Sequence, residues 1–280
     1  MNAAAALLAA FLLAPAGAQE RSPQGVNFYS LEKELALGRQ EAAVLRRELS
    51  TVREPRLEAY VARLASELAK HADPRFPYGF TLFDYQGGPA SQRTMAMPFD
   101  AFQGPLAEPV ALAGGPIFVP LGLLAEAPNE AVFAFQLAHA IAHVALRHAT
   151  RMATRAEATR ISGAPVNGNQ QAAMRFGLLN LAREFELQAD AAATGILAGA
   201  GYDPEAMARY LEAQPPAGNE GMSTMFSAHA TAAERVEAIR AEIRRLPPRE
   251  YAAASGEFEA MKALAASLAE NGFHVSMMKP

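Results

Sequence analysis

His139 and His143 stand four residues apart in the run His139-Ala140-Ile141-Ala142-His143. In a helix that spacing puts both imidazoles on one face, one turn apart, where their nitrogens can grip a single metal ion. Such a pair supports metal-assisted hydrolysis when a glutamate follows the first histidine and takes the proton of the attacking water. Position 140 is alanine. The chain carries the metal-gripping half of the pattern without its base.

The surrounding sequence has to supply a helix rigid enough to aim both rings. Pro128-Asn129-Glu130 is a good helix start with Asn129 as N-cap. Through about Thr150 the residues are then apolar nearly all round: Val132, Phe133, Phe135, Leu137, Ile141, Val144 and Leu146. A helix of that kind is buried, and burying histidines costs free energy unless each finds a partner. A catalytic zinc site needs a third protein ligand and an open fourth position. Glu186 is the next candidate, with Asp190 one turn further on the same face of a helix expected from about Ala172 to Ala198. From spacing alone these carboxylates fit a solvated helix face at least as well.

Upstream, Leu31 to about Leu68 shows helical periodicity with a break at Glu54-Pro55, which predicts two helices. Tyr78 to Phe83 reads as a strand, and residues 84–109 as a long loop rich in Gly, Pro, Ser, Gln and Met. Val110 to Pro120 predicts a hairpin turned by Gly114-Gly115, with Pro116 and Pro120 confining it to a sheet edge. Residues 161–171 interrupt the helical pattern. Gly201-Tyr202-Asp203-Pro204 ends one helix and opens another, and Val236, Ile239, Ile243 and Leu246 mark an amphipathic tail helix.

The 280 residues are 51% apolar and 19% charged, which suits a globular protein with ample core. A net charge of −4 offers no basic surface for nucleic acid. Ala3 to Ala14 is an uncharged apolar run, followed by Pro15-Ala16-Gly17-Ala18. It resembles a secretory signal cleaved near Ala18, and it falls short of the ~20 residues needed to span a bilayer. The absence of cysteine excludes disulfides and a lipoprotein anchor. The expected organisation is a signal peptide over 1–18 and one domain over 19–280, periplasmic or secreted and soluble after cleavage. Peripheral membrane association and oligomeric state stay open.

Gln136-Leu137-Ala138-His139 through Arg147-His148, followed by Glu186-Leu187-Gln188-Ala189-Asp190, resembles the zinc metallopeptidase family of the CAAX prenyl endopeptidase and the HtpX heat-shock protease. The nearest branch is the soluble periplasmic one of the β-barrel assembly-enhancing proteases. Ala111 to Val119 is similar to the family's glycine-glycine edge strand, which aligns substrate by adding it to the sheet. Leu121 to Leu124, Gly201 to Pro204 and His229 with Arg235 also fit. Together these cover about residues 28–245.

The resemblance implies an α+β fold: a mostly helical zincin-like (gluzincin) domain with a small antiparallel sheet, its edge strand bordering the metal cleft. His139, His143 and Glu186 would bind one zinc per chain, and Asp190 would orient a ligand histidine. His229 would approach the metal or the oxyanion of the substrate, and Arg235 would pair with acidic groups near the site. Gly114, Gly115, Ile117 and Val119 would form the substrate strand. His148 is assigned to the helix end, and His71 and His274 to the surface. The chain departs from the family at Ala140, in the segment before Gly114, which lacks an asparagine, and at Ala230, which replaces a proline. Met1 followed by an intact signal-like segment favours Ala140 as the natural residue.

Two functions remain on this reading. The first is a zinc metalloendopeptidase of the cell envelope acting on unfolded polypeptide, with hydrolysis impaired at position 140. The second is a pseudopeptidase that holds extended polypeptide as a chaperone or adaptor. Loss of a general base typically costs about 10²–10⁴ in rate. Glu184 is no substitute, since it lies about 200° around the helix from Glu186.

Overall fold

The structure is a computed structural model that describes residues 26–84, 108–161, 168–214, 230–251 and 255–270. The signal-like segment 1–18, most of the 84–109 loop, His229 and His274 lie outside the described residues.

Nine helices and four short strands follow in order among the described residues: α1 Leu31–Glu48, β1 Ser50–Thr51, α2 Pro55–Ala69, β2 Gly79–Asp84, β3 Val110–Ala111, β4 Pro116–Pro120, α3 Leu121–Glu126, α4 Glu130–Ala145, α5 His148–Ile161, α6 Gly168–Gly199, α7 Glu205–Ala213, α8 Ala232–Ile243 and α9 Gly256–Glu270. The class is α+β, a helical body carrying a small sheet.

Capping explains the helix starts. Ser30 accepts from Lys33 N at α1, Glu54 caps α2 with Pro55 in its first turn, and the Asn129 side chain accepts from Val132 N at α4. At α8, Thr231 and Glu234 form a reciprocal capping box. The apolar α4 lies in the middle of the core, with Phe133, Phe135, Leu137 and Ile141 fully buried against α2, α6 and the sheet. Its one buried carboxylate, Glu130, accepts from Tyr60 Oη at 2.9 Å and from Ser255 N at 2.7 Å, which ties α2 and the start of α9 to the head of the helix.

The sheet runs β1-β2-β4-β3 and is mixed, not wholly antiparallel. β2 and β4 pair in parallel, with Phe80 opposite Ile117 and Leu82 opposite Val119; the long connection between them makes the crossover. β3 and β4 form the expected hairpin, with Val110 opposite Phe118. Gly114 and Gly115 turn it with φ of 71° and 125°. A Cβ on Gly114 would stand 2.7 Å from the Glu34 carbonyl oxygen, so the turn also lets α1 pack directly on the hairpin.

Two expectations are corrected here. β4 is not an edge strand: it is paired on both sides, and Ile117 and Val119 are buried in the core. Pro116 and Pro120 are its first and last residues, so neither interrupts the ladder between them. Among the described residues the edge of β3 facing away from β4 is unpaired, and both strands pack against α4. The metal helix, expected to run to about Thr150, stops at Ala145. Arg147 takes a left-handed conformation, φ 59°, and α5 begins at His148.

Candidate metal centre

α4 turns His139 and His143 toward α6, and their Nε2 atoms lie 2.9 Å apart. From α6, Glu186 Oε2 stands 3.4 Å from His139 Nε2 and Glu186 Oε1 3.5 Å from His143 Nε2. One ligand atom from each of the three residues falls within 4.8 Å of the others. Two imidazole nitrogens that close cannot both turn lone pairs on each other, so either a hydrogen or a metal cation must lie between them. Two histidines and a carboxylate converging on one point make a donor set that fits zinc.

The outer nitrogens are also engaged. His139 Nδ1 is 2.9 Å from Asp190 Oδ1, and Asp190 is fully buried. Arg235, from α8, donates Nε to Asp190 Oδ2 at 2.8 Å and Nη2 to Oδ1 at 2.9 Å. Its Nη1 donates to Glu108 Oε1 at 2.7 Å, just before β3. Four hydrogen bonds in three links therefore connect the start of β3 to the first histidine. On the other side, His143 Nδ1 is 3.1 Å from His148 Nδ1, and His148 Nε2 is 3.3 Å from Gln188 Oε1. The His148 ring stacks on Phe185 with centroids 4.2 Å apart and planes within 4°.

Burial alone would lower the pKa of His139, but its hydrogen bonds to Asp190 and Glu186 outweigh this and push it up to about 10. Burial takes His143 down to about 4; Glu186 pulls the other way, while the charge on His139 adds to the fall. Burial would raise Glu186, yet the facing His143 and His139 hold its carboxyl well below the usual range. Asp190 and Glu108 are likewise opposed by burial and held low, both with Arg235 as the first stabilising partner. In the metal-free protein His139 is therefore the protonated ring and His143 the neutral one.

Of the residues singled out in the sequence, His139, His143, Glu186, Asp190 and Arg235 meet in one cluster. Ala140 is buried beside it, 1% exposed, and its methyl group offers no proton acceptor. Gly114 and Gly115 form the hairpin turn, and Ile117 and Val119 lie in the core. Glu184 is exposed and its Oε1 accepts from Gln188 Nε2 at 2.8 Å.

Sequence reasoning missed two residues. His148, assigned to the helix end, sits against His143 because the chain bends at Arg147. Glu108 gives no signal in the sequence, since its partner Arg235 is remote in the chain.

Residues 52–243 match the peptidase family M48. The chain is also 26% identical over 249 residues to the "Putative beta-barrel assembly-enhancing protease" of Vibrio cholerae serotype O1 (strain ATCC 39315 / El Tor Inaba N16961), a match covering 78% of this chain. It spans 46% of that relative's length. The family match covers most of the chain and encloses the three converging ligand residues, so the protein belongs to peptidase family M48, whose members are zinc metallopeptidases.

Proposed function

We propose that this protein is a zinc-binding metalloendopeptidase-type protein of the cell envelope that takes up unfolded polypeptide, with hydrolysis weakened at position 140. The observation that carries this reading is the convergence of His139, His143 and Glu186 beside a methyl group at Ala140. Zinc held there would act as a Lewis acid toward a peptide carbonyl and make water a better nucleophile. The chain's own residues do the rest. Asp190 fixes the His139 ring, and Arg235 holds Asp190 and Glu108 in register. The edge of β3, unpaired among the described residues, would offer backbone groups to an extended peptide. Glu108 is the other carboxylate on this side, but its bond to Arg235 holds it low and makes it a poor proton acceptor.

The envelope location rests on the signal-like segment and on the relative's name. No helix among the described residues is long and apolar enough to cross a membrane. A second reading, a pseudopeptidase that holds polypeptide without cutting it, is favoured by Ala140 itself.

Casein cleavage by the purified chain, with zinc content measured alongside, tests the proposal. Ala140→Glu is expected to raise the rate by about 10²–10⁴ and to leave zinc stoichiometry near one. If the variant binds zinc and still does not cut, the pseudopeptidase reading replaces this one. If neither protein takes up zinc, the metal centre itself is wrong.

A further inference from the structure

We propose that His148 is a positioning residue for the second metal ligand: its Nδ1 accepts the hydrogen of His143 Nδ1 and so keeps the His143 Nε2 lone pair aimed into the site. This rests on the metal-centre reading above.

The argument is one of proton counting. Two Nδ1 atoms 3.1 Å apart can share only one hydrogen. His143 Nε2 faces His139 Nε2 and Glu186, so as a ligand it must present a lone pair, and the ring's one hydrogen belongs on Nδ1. His148 Nδ1 must then accept, which leaves the His148 hydrogen on Nε2, 3.3 Å from Gln188 Oε1. The Gln188 amide is oriented to match: its Nε2 donates to Glu184 and its Oε1 also accepts from Arg151 Nη1 at 3.2 Å. Donors run in one direction from His143 to Gln188, and no group is left facing its own kind.

The fold holds His148 in place for this. The residue is 3% exposed and its ring is stacked flat on Phe185. On an unbroken helix a residue five positions after His143 would lie about 140° around the axis. The left-handed Arg147 turns the chain back so that His148 meets His143. That conformation is uncommon for a residue with a side chain. It is secured by Arg147 Nε donating to buried Glu34 Oε2 and by Nη2 donating to the Tyr29 carbonyl, each at 2.6 Å.

The test compares zinc affinity of the full chain, by chelator competition, for the unmodified protein, His148→Phe and His148→Asn. Phenylalanine keeps a ring against Phe185 but offers no acceptor, and affinity is expected to fall about 10–100-fold. Asparagine places an oxygen where Nδ1 stood and is expected to recover most of the loss. An unchanged affinity in His148→Phe overturns the proposal, as does a folded His148→Asn that loses as much as the phenylalanine variant. Should the phenylalanine variant not fold, long-range ¹H–¹⁵N spectra of the zinc-loaded unmodified protein decide. Hydrogens on His143 Nδ1 and His148 Nε2 are expected, and a hydrogen on His148 Nδ1 overturns the proposal. If the unmodified protein takes up no zinc, the failure is that of the metal centre and not of His148 alone.

Discussion

The two histidines of α4 sit one turn apart on the same helix, yet their outer nitrogens meet opposite surroundings. His139 backs onto a buried carboxylate, Asp190, which is tied by Arg235 to Glu108 at the start of β3. His143 backs onto a neutral, stacked ring, His148, and through it onto an amide. The first arrangement is charged and couples the metal centre to the sheet edge. The second meets the ring through neutral groups, with charge entering only beyond the amide at Arg151 and Glu184, and couples it to the helical bend at Arg147. A charged partner strengthens its hydrogen bond and also raises the penalty for removing either half, because the other is left buried and unpaired. The two histidines thus rest on one side that is costly to disturb and one that sets direction through neutral groups.

The sharpest test of this contrast removes the charge. Asp190→Ala would take from Arg235 two of its three bonds, leaving it Glu108, and would leave the buried, protonated His139 ring without its carboxylate partner. It is expected to lower stability by about 3–5 kcal/mol in urea unfolding. A change below 1 kcal/mol would mean that the charged side is no stiffer than the neutral one.

The next largest effect is one of pH. In the metal-free protein His139 has its pKa raised to about 10, so it is protonated at neutral pH while an unfolded histidine near 6.5 is not. The stability this adds is complete below about pH 6.5 and is lost as pH rises through about 10. Zinc must displace the same proton, so apparent affinity is expected to climb about tenfold per pH unit between pH 7 and 9. Calorimetry in buffers of differing ionisation enthalpy should show about one proton released per zinc at pH 7.5. Zero release would place the proton elsewhere and remove the asymmetry between the rings.

The smallest expected effect falls on the neutral side. Gln188→Leu takes the acceptor from His148 Nε2 and is expected to cost about 1–3 kcal/mol, with zinc still bound. A loss as large as that of Asp190→Ala would show that the two sides are equally demanding.

What the sequence by itself determined was local. Helical periodicity put His139 and His143 on one face, the apolar surround of that face made the helix buried, and Gly114-Gly115 fixed a hairpin turn. Resemblance to a family, not spacing, supplied Glu186, Asp190 and Arg235. The tertiary structure decided everything that depended on chain segments meeting from afar. It paired β2 with β4 in parallel and so put β3, not β4, last in the order of the described strands, which no pattern within either strand could specify. It set Glu108 on Arg235, and it bent the chain at Arg147 by giving that side chain Glu34 and the Tyr29 carbonyl to hold. Periodicity carries the direction of a side chain only while the helix continues; where one residue turns left-handed, the direction of the next is set by whatever long-range partners secure the turn.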